Sequence, residues 1–191
     1  MKITPLFLLL SIGLTACTVL QPIKDQTVHH LLEPLVAERS LISNTPAIAL
    51  SRPSIPSYLD RSEIVTRSAG QLMLSPIHLW AEPLDAAISR VTASNLSRLT
   101  GSMNIQPVEG FTTLDYTNLL EIRLSRFDPD EANQMILEGT WKLQPTSGKV
   151  SKSHAIRIAV PFPPSPSPMS ARVTAMNQAL ERLARTIARQ L

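Results

Sequence analysis

Three stretches decide the fold: LEIRLS (Leu120–Ser125), MILEGTWKL (Met135–Leu143) and SHAIRIAV (Ser153–Val160). Leu120, Ile122 and Leu124 alternate with Glu121, Arg123 and Ser125. Met135, Leu137, Trp141 and Leu143 share one face with Gly139 between them, while Glu138, Thr140 and Lys142 face the other way. His154, Ile156, Ile158 and Val160 alternate with Ser153, Ala155, Arg157 and Ala159. A period of two is the mark of half-buried strands. Asp128-Pro129-Asp130 and Pro145–Gly148 read as the turns between them, and short turns joining alternating strands predict an antiparallel meander.

Outward from the meander the period changes to that of a helix. Leu84, Ala87, Ile88, Val91, Leu96 and Leu99 form one apolar stripe, so a helix is expected over about residues 83–100. Pro83 suits the first turn, Asp85 lies near the positive end of the dipole, and Gly101 is a C-cap. After the proline-rich connector Pro161–Pro168, Ser170 reads as the N-cap of a final helix. Its stripe is Val173, Met176, Leu180, Leu183 and Ile187. This arginine-bearing helix has three readings: packed on its own sheet, lying on anionic lipid, or docked on a partner.

Upstream, Val28–Leu32 and Ala47–Leu50 read as strands, and residues 35–46 suit a loop or a short helix. Arg52–Pro56 interrupts the second strand, because proline cannot donate to a ladder. Ile64–Ser68 and Gln71–Leu74 form a hairpin across Gly70. Strands, helix, three strands and helix predict an α+β two-layer sandwich, an antiparallel or mixed sheet with two main helices packed on one face.

The N-terminus reads differently. Met1 and Lys2 precede the apolar run Leu6–Leu14 (LFLLLSIGL), which has the length and flanks of a signal-peptide core and is too short to span a bilayer as a mature helix. Leu14-Thr15-Ala16-Cys17 follows and resembles the lipobox of bacterial lipoproteins. That resemblance implies a thioether to diacylglycerol on Cys17, cleavage before it, and acylation of the new amino group. The expected organisation is a signal peptide over 1–16, a lipidated N-terminus and tether over 17–27, and one periplasmic domain over 28–191. The residue after the cysteine is Thr18 rather than Asp, which by the usual sorting rule points to the outer membrane, facing the periplasm. Extended, residues 18–27 reach roughly 30 Å. Cys17 is the only cysteine, so no internal disulfide, zinc-thiolate site or thiol catalysis is expected.

The chain carries 18 Lys and Arg against 15 Asp and Glu, a formal charge of +3. So mild a balance carries no nucleic-acid footprint. The four histidines (His29, His30, His78 and His154) lack ligand spacing, and no zinc site is expected. There is no G-x-S-x-G elbow and no phosphate loop. Asp128, Asp130 and Glu131 read as a solvated turn rather than a calcium loop. Glu82 and Asp85 are explained by the helix N-terminus. No enzymatic activity and no cofactor beyond the acyl chains on Cys17 are expected.

The middle of the chain carries a more specific likeness. Ala47-Ile48-Ala49-Leu50, Ile55-Pro56-x-Tyr58-Leu59-Asp60-Arg61-x-x-Ile64-Val65-x-Arg67, Trp80-Ala81-Glu82-Pro83-Leu84 and Ile88-x-Arg90-Val91-x-x-x-Asn95-Leu96 resemble the ABC-type transport auxiliary lipoproteins of the PqiC-like, MCE-system kind. Ser75-Pro76-Ile77-His78 stands where that family often has a glycine-rich or longer segment. The resemblance implies a non-enzymatic subunit at the outer membrane. Its partners would be an MCE-domain protein (PqiB-like) and an inner-membrane transporter component, in a system that moves phospholipid between membranes and supports envelope integrity. A ring-shaped partner would favour several copies, a homo-oligomer around its rim.

Tyr58, Asp60, Arg61 and Trp80 are the candidate partner-binding residues, since a turn rich in aromatic and charged groups can form hot spots. The same residues also suit a structural role, with Asp60, Arg61 and Arg67 ordering the turn and Trp80 in the core. Two other functions fit the anchor: a scaffold of another envelope assembly or secretion machine, and an envelope hydrolase using a non-standard serine.

Overall fold

The structure is a computed structural model, and it describes residues 24–34, 46–108, 115–164 and 168–191. The signal peptide, the lipobox with Cys17, most of the tether and the ambiguous segment over 35–45 lie outside the described residues.

The meander forms as the alternation predicts. Strand β6 (Asn118–Pro129) pairs antiparallel with β7 (Gln134–Pro145), and β7 with β8 (Ser153–Pro161). Two further strands extend it: β2 (Ile48–Leu50) runs parallel to β6 and to β5 (Ile105–Pro107), giving the order β5-β2-β6-β7-β8. Three residues of β5 carry too little pattern to be read as a strand from sequence. A second, three-stranded sheet has the order β1-β4-β3, from β1 (Val28–His30), β3 (Glu63–Ser68) and β4 (Gln71–Trp80). The architecture is α+β, with its strands divided between two mixed sheets rather than gathered in one. β4 continues beyond the expected Gln71–Leu74 and ends at Trp80.

Helix α1 (Leu84–Thr100) starts after Pro83 and ends at Gly101, whose φ of 70° gives the left-handed cap. Helix α2 (Met169–Ala188) starts two residues earlier than expected, with Pro168 at the cap position, so Ser170 is inside the first turn and does not cap it. The stripe of α2 packs on its own sheet: the helix lies against β7 and β8, and α1 lies against α2 and β5. Leu180, Leu183 and Ile187 are fully buried, as are Leu50, Ile88, Leu96, Leu120 and Leu137 from the other elements. Each such side chain contributes about 1.5–3 kcal/mol by leaving water.

A β-bulge changes the face of β6 partway along. Leu124 pairs with Gly139 and Arg126 with Glu138, which leaves Ser125 as an extra residue. Leu120, Ile122 and Leu124 face the core before the bulge, and Phe127 does so after it. The chains come so close there that a Cβ on Gly139 would lie 2.1 Å from the Arg123 carbonyl oxygen and 2.9 Å from Leu124 Cα. Only glycine fits. Beyond the bulge, Asp128 shares a face with its partner Ile136, and both are about 1% exposed. The expected turn at Asp128–Asp130 is therefore displaced. β6 runs through Pro129, and the reversal is made by Asp130–Asn133, where Asp130 Oδ1 accepts from the Ala132 and Gln134 amides.

Candidate functional site

The Pro56–Ser62 turn is built from its own backbone. The Leu59 amide donates to the Pro56 carbonyl at 2.9 Å, and Arg61 donates to Leu59 at 2.9 Å. Leu59 is buried and pins the turn to the core. The Trp80 amide donates to the Ser62 carbonyl at 2.7 Å, and the Ala81 amide to the His30 carbonyl at 3.0 Å. These bonds hold the end of β4 beside the turn.

The result is a shallow depression of about 310 Å³ lined by Asp60, Arg61, Ser62, Trp80, Glu82 and Pro83, among others. Asp60 and Arg61 are exposed on its rim and Trp80 is buried at its base. Arg90 pairs with Glu82 and donates to the Leu32 carbonyl at 2.9 Å, so the Glu82 side of the rim is fixed. Three of the four candidate residues thus meet around one depression. The fourth, Tyr58, does not.

Tyr58 belongs to a network absent from the reading of the sequence. Its hydroxyl donates to Asp128 Oδ2 at 2.5 Å. Arg67 forks onto the same carboxylate, Nε to Oδ1 at 3.1 Å and Nη2 to Oδ2 at 3.2 Å, while Arg126 Nε donates to Oδ1 at 2.9 Å. Asp128 is a buried carboxylate that accepts four hydrogen bonds from three residues rather than a solvated turn residue. Arg67 also lies over the Tyr58 ring, 5.6 Å from its centre. Burial pushes the Tyr58 hydroxyl up to about 12, and the Asp128 hydrogen bond and charge add to that shift. The Arg67 guanidinium is raised by its hydrogen bond to Asp128. Arg67 and Tyr58 stood together in the sequence pattern, but separations of 61 and 70 positions hid their common partner.

Two histidines also meet. His30 Nε2 and His78 Nδ1 are 3.0 Å apart across the β1–β4 pair. Burial lowers His30 below the ordinary imidazole range, and the charges of His78 and His29 act the same way. His154 stacks on Trp141 with ring centres 4.5 Å apart. Among the described residues no group of three or more His, Cys, Asp or Glu is placed to hold a metal ion. None of the described helices is long and apolar enough to cross a membrane.

The sequence model of the ABC-type transport auxiliary lipoprotein component matches residues 30–188. The chain belongs to this lipoprotein family. The match spans both sheets and both helices of the auxiliary lipoprotein fold. No curated protein sequence matches the chain. Among solved structures, the fold is similar to an uncharacterized protein, at 17% identity and a TM-score of 0.69 over 86% of this chain and 97% of the other. It is also similar to a Xanthomonas campestris protein of the DUF330 family, at 21% identity and a TM-score of 0.61 over 85% and 90%. At these identities the likeness extends to the fold alone.

Proposed function

We propose that this auxiliary lipoprotein is the outer-membrane docking subunit of an MCE-type system that moves phospholipid between the two membranes. It binds and positions, and catalyses nothing. The observation that carries the reading is the depression at the end of β4. There the family-like segments Tyr58–Arg67 and Trp80–Leu84 converge, and exposed Asp60 and Arg61 flank the Trp80 base. A notch with a buried aromatic base and a charged rim suits a protruding side chain of a protein partner. The lipobox at Cys17 supports the membrane anchor, and Thr18 after it supports the outer membrane.

The test is affinity capture of the detergent-extracted protein through a C-terminal tag, with partners identified by mass spectrometry. An MCE-domain protein is expected. Arg61→Glu reverses a rim charge without touching the core and should abolish this co-purification, since a hot spot costs about 2 kcal/mol or more, roughly thirtyfold in affinity. Unchanged capture by a folded Arg61→Glu protein would remove the depression from the interface. Capture of a different envelope machine without an MCE protein would overturn the assigned function.

A further inference from the structure

The β3–β4 hairpin ends in a segment whose large apolar side chains are only partly covered by the described residues. Residues 68–77 (SAGQLMLSPI) contain no charged side chain. The reversal at Ala69-Gly70 is tight, with φ of 49° and 74°, as a two-residue hairpin turn requires. Leu72, Met73, Leu74 and Ile77 are 44%, 56%, 45% and 39% exposed. Successive residues of a strand point to opposite faces, so Leu72 and Leu74 open on one side and Met73 on the other. Apolar side chains therefore open on both faces of the tip: Leu72 and Leu74 stand opposite Arg67, which reaches back to Asp128, and Val65, while Met73 stands opposite Thr66 at the mouth of a cleft shared with Pro129, Asp130, Phe162 and Arg172.

The direction of this tip relative to the anchor follows from strand pairing. β1 runs parallel to β4, with Val28 opposite His78 and His30 opposite Trp80. Going back along the chain from Val28 therefore leads toward the Ala69-Gly70 end of the hairpin. The chain reaches the sheet from the side on which the tip projects. From the Val28–His78 row to Gly70 is roughly 25 Å of strand, and the eleven steps from Cys17 to Val28 span at most about 36 Å. A tether of that length brings the tip to the membrane with slack to spare.

We infer that the β3–β4 hairpin tip is a second, non-covalent membrane contact, with Leu72, Met73 and Leu74 seated in the interfacial zone of the phospholipid leaflet that holds the Cys17 acyl chains. The inference rests on the Cys17 anchor. A bilayer is the occupant that fits, because lipid surrounds the tip on both faces, whereas a docking protein covers one. The absence of charge over residues 68–77 removes the main cost of entering lipid. Among the described residues the outer edges of the hairpin around its tip have no strand partner, which holds the tip at headgroup depth, where water still satisfies backbone groups. Such a contact fixes the domain's orientation on the membrane, which a flexible tether alone does not.

The acylated protein offers a clean probe, because its single cysteine is blocked by lipid. Met73→Cys and, separately, Leu72→Cys introduce one free thiol on each face of the tip. Val150→Cys, fully exposed in the β7–β8 turn, serves as the control. Each is labelled with an environment-sensitive maleimide dye and reconstituted into phosphatidylethanolamine–phosphatidylglycerol vesicles with and without nitroxide-bearing lipid. The dyes at 72 and 73 should both shift to the blue and lose intensity with nitroxide lipid, while the dye at 150 does neither. Dyes at 72 and 73 that behave like the control overturn the inference. A shift on one face only, or a concentration-dependent shift without lipid quenching, overturns it in favour of a protein partner or a second copy. Wild-type protein that takes up the dye would show Cys17 to be free and overturn the anchor itself, a failure distinct from that of the hairpin.

Discussion

Replacing Asp128 by asparagine keeps the size of the side chain and removes its charge. In the folded protein this carboxylate is fully buried and accepts from Tyr58, Arg67 and Arg126. Asparagine retains one acceptor oxygen and turns an amide toward a guanidinium that had faced an oxygen. Removing one partner from a fully buried pair costs about 3–5 kcal/mol. Arg67 and Arg126 keep 34% and 24% of their side-chain surface in water, so solvent takes back part of their charge and the lower end, about 3 kcal/mol, is expected. Tyr58→Phe removes one hydrogen bond to an ionised acceptor, worth about 1.5 kcal/mol at a half-buried site. The tyrosine bond depends on the carboxylate, so the double variant should lose about 3 rather than about 4.5 kcal/mol, a coupling of about 1.5. Urea unfolding followed by circular dichroism measures all three: at a slope near 2 kcal/mol per molar, Asp128→Asn moves the midpoint down by roughly 1.5 M. Additive losses, or a loss below about 1 kcal/mol for Asp128→Asn, would show that the network does not hold the β3–β4 hairpin to β6.

Other predictions follow from the same contacts. Because Tyr58 titrates at about 12 in the folded chain against an ordinary value of 10, its contribution is complete below pH 10 and is lost as pH rises toward 12; Tyr58→Phe should flatten that part of the urea-midpoint profile, and an unchanged slope would refute the assignment. His30 is lowered, so the neutral form is the folded form: stability is complete above about pH 6.5 and falls as pH drops through the folded value. A His30→Gln protein should lose that acid-side dependence, and a wild-type profile flat from pH 7 to 5 would contradict it. Gly139→Ala should cost at least about 3 kcal/mol, the upper end of overpacking penalties, because backbone atoms of β6 occupy the Cβ position; soluble protein with a wild-type urea midpoint would disprove the close approach.

Much of this protein was legible one element at a time. The period of two in Leu120–Ser125, Met135–Leu143 and Ser153–Val160 records which side chains leave water, and the meander follows from it. The stripes Leu84–Leu99 and Val173–Ile187 do the same for the helices, and Gly101 marks a left-handed cap that glycine adopts at no steric cost. Those patterns are local, so they survive without knowledge of the rest of the chain. The Asp60, Arg61 and Trp80 grouping was half legible: the turn is contiguous, but Trp80 arrives beside it only because β4 runs its full length back along β3.

The tertiary structure decided what depends on pairing between distant segments. The bulge at Ser125 exists only when β6 meets β7; it shifts the inward face by one residue, sends Asp128 into a buried network, and makes Gly139 obligatory. The division into two sheets rests on parallel pairs, β1 with β4 and β2 with β5 and β6, whose partners lie tens of residues apart; β1 and β2 were legible as strands, but not which strand each lies beside, and β5 was too short to announce itself. Burial along a single strand or helix is written in side-chain periodicity. Which strand lies beside which, and which charge is thereby taken out of water, is settled by long-range packing, for which neither a short strand's own pattern nor an isolated charged residue carries a local code.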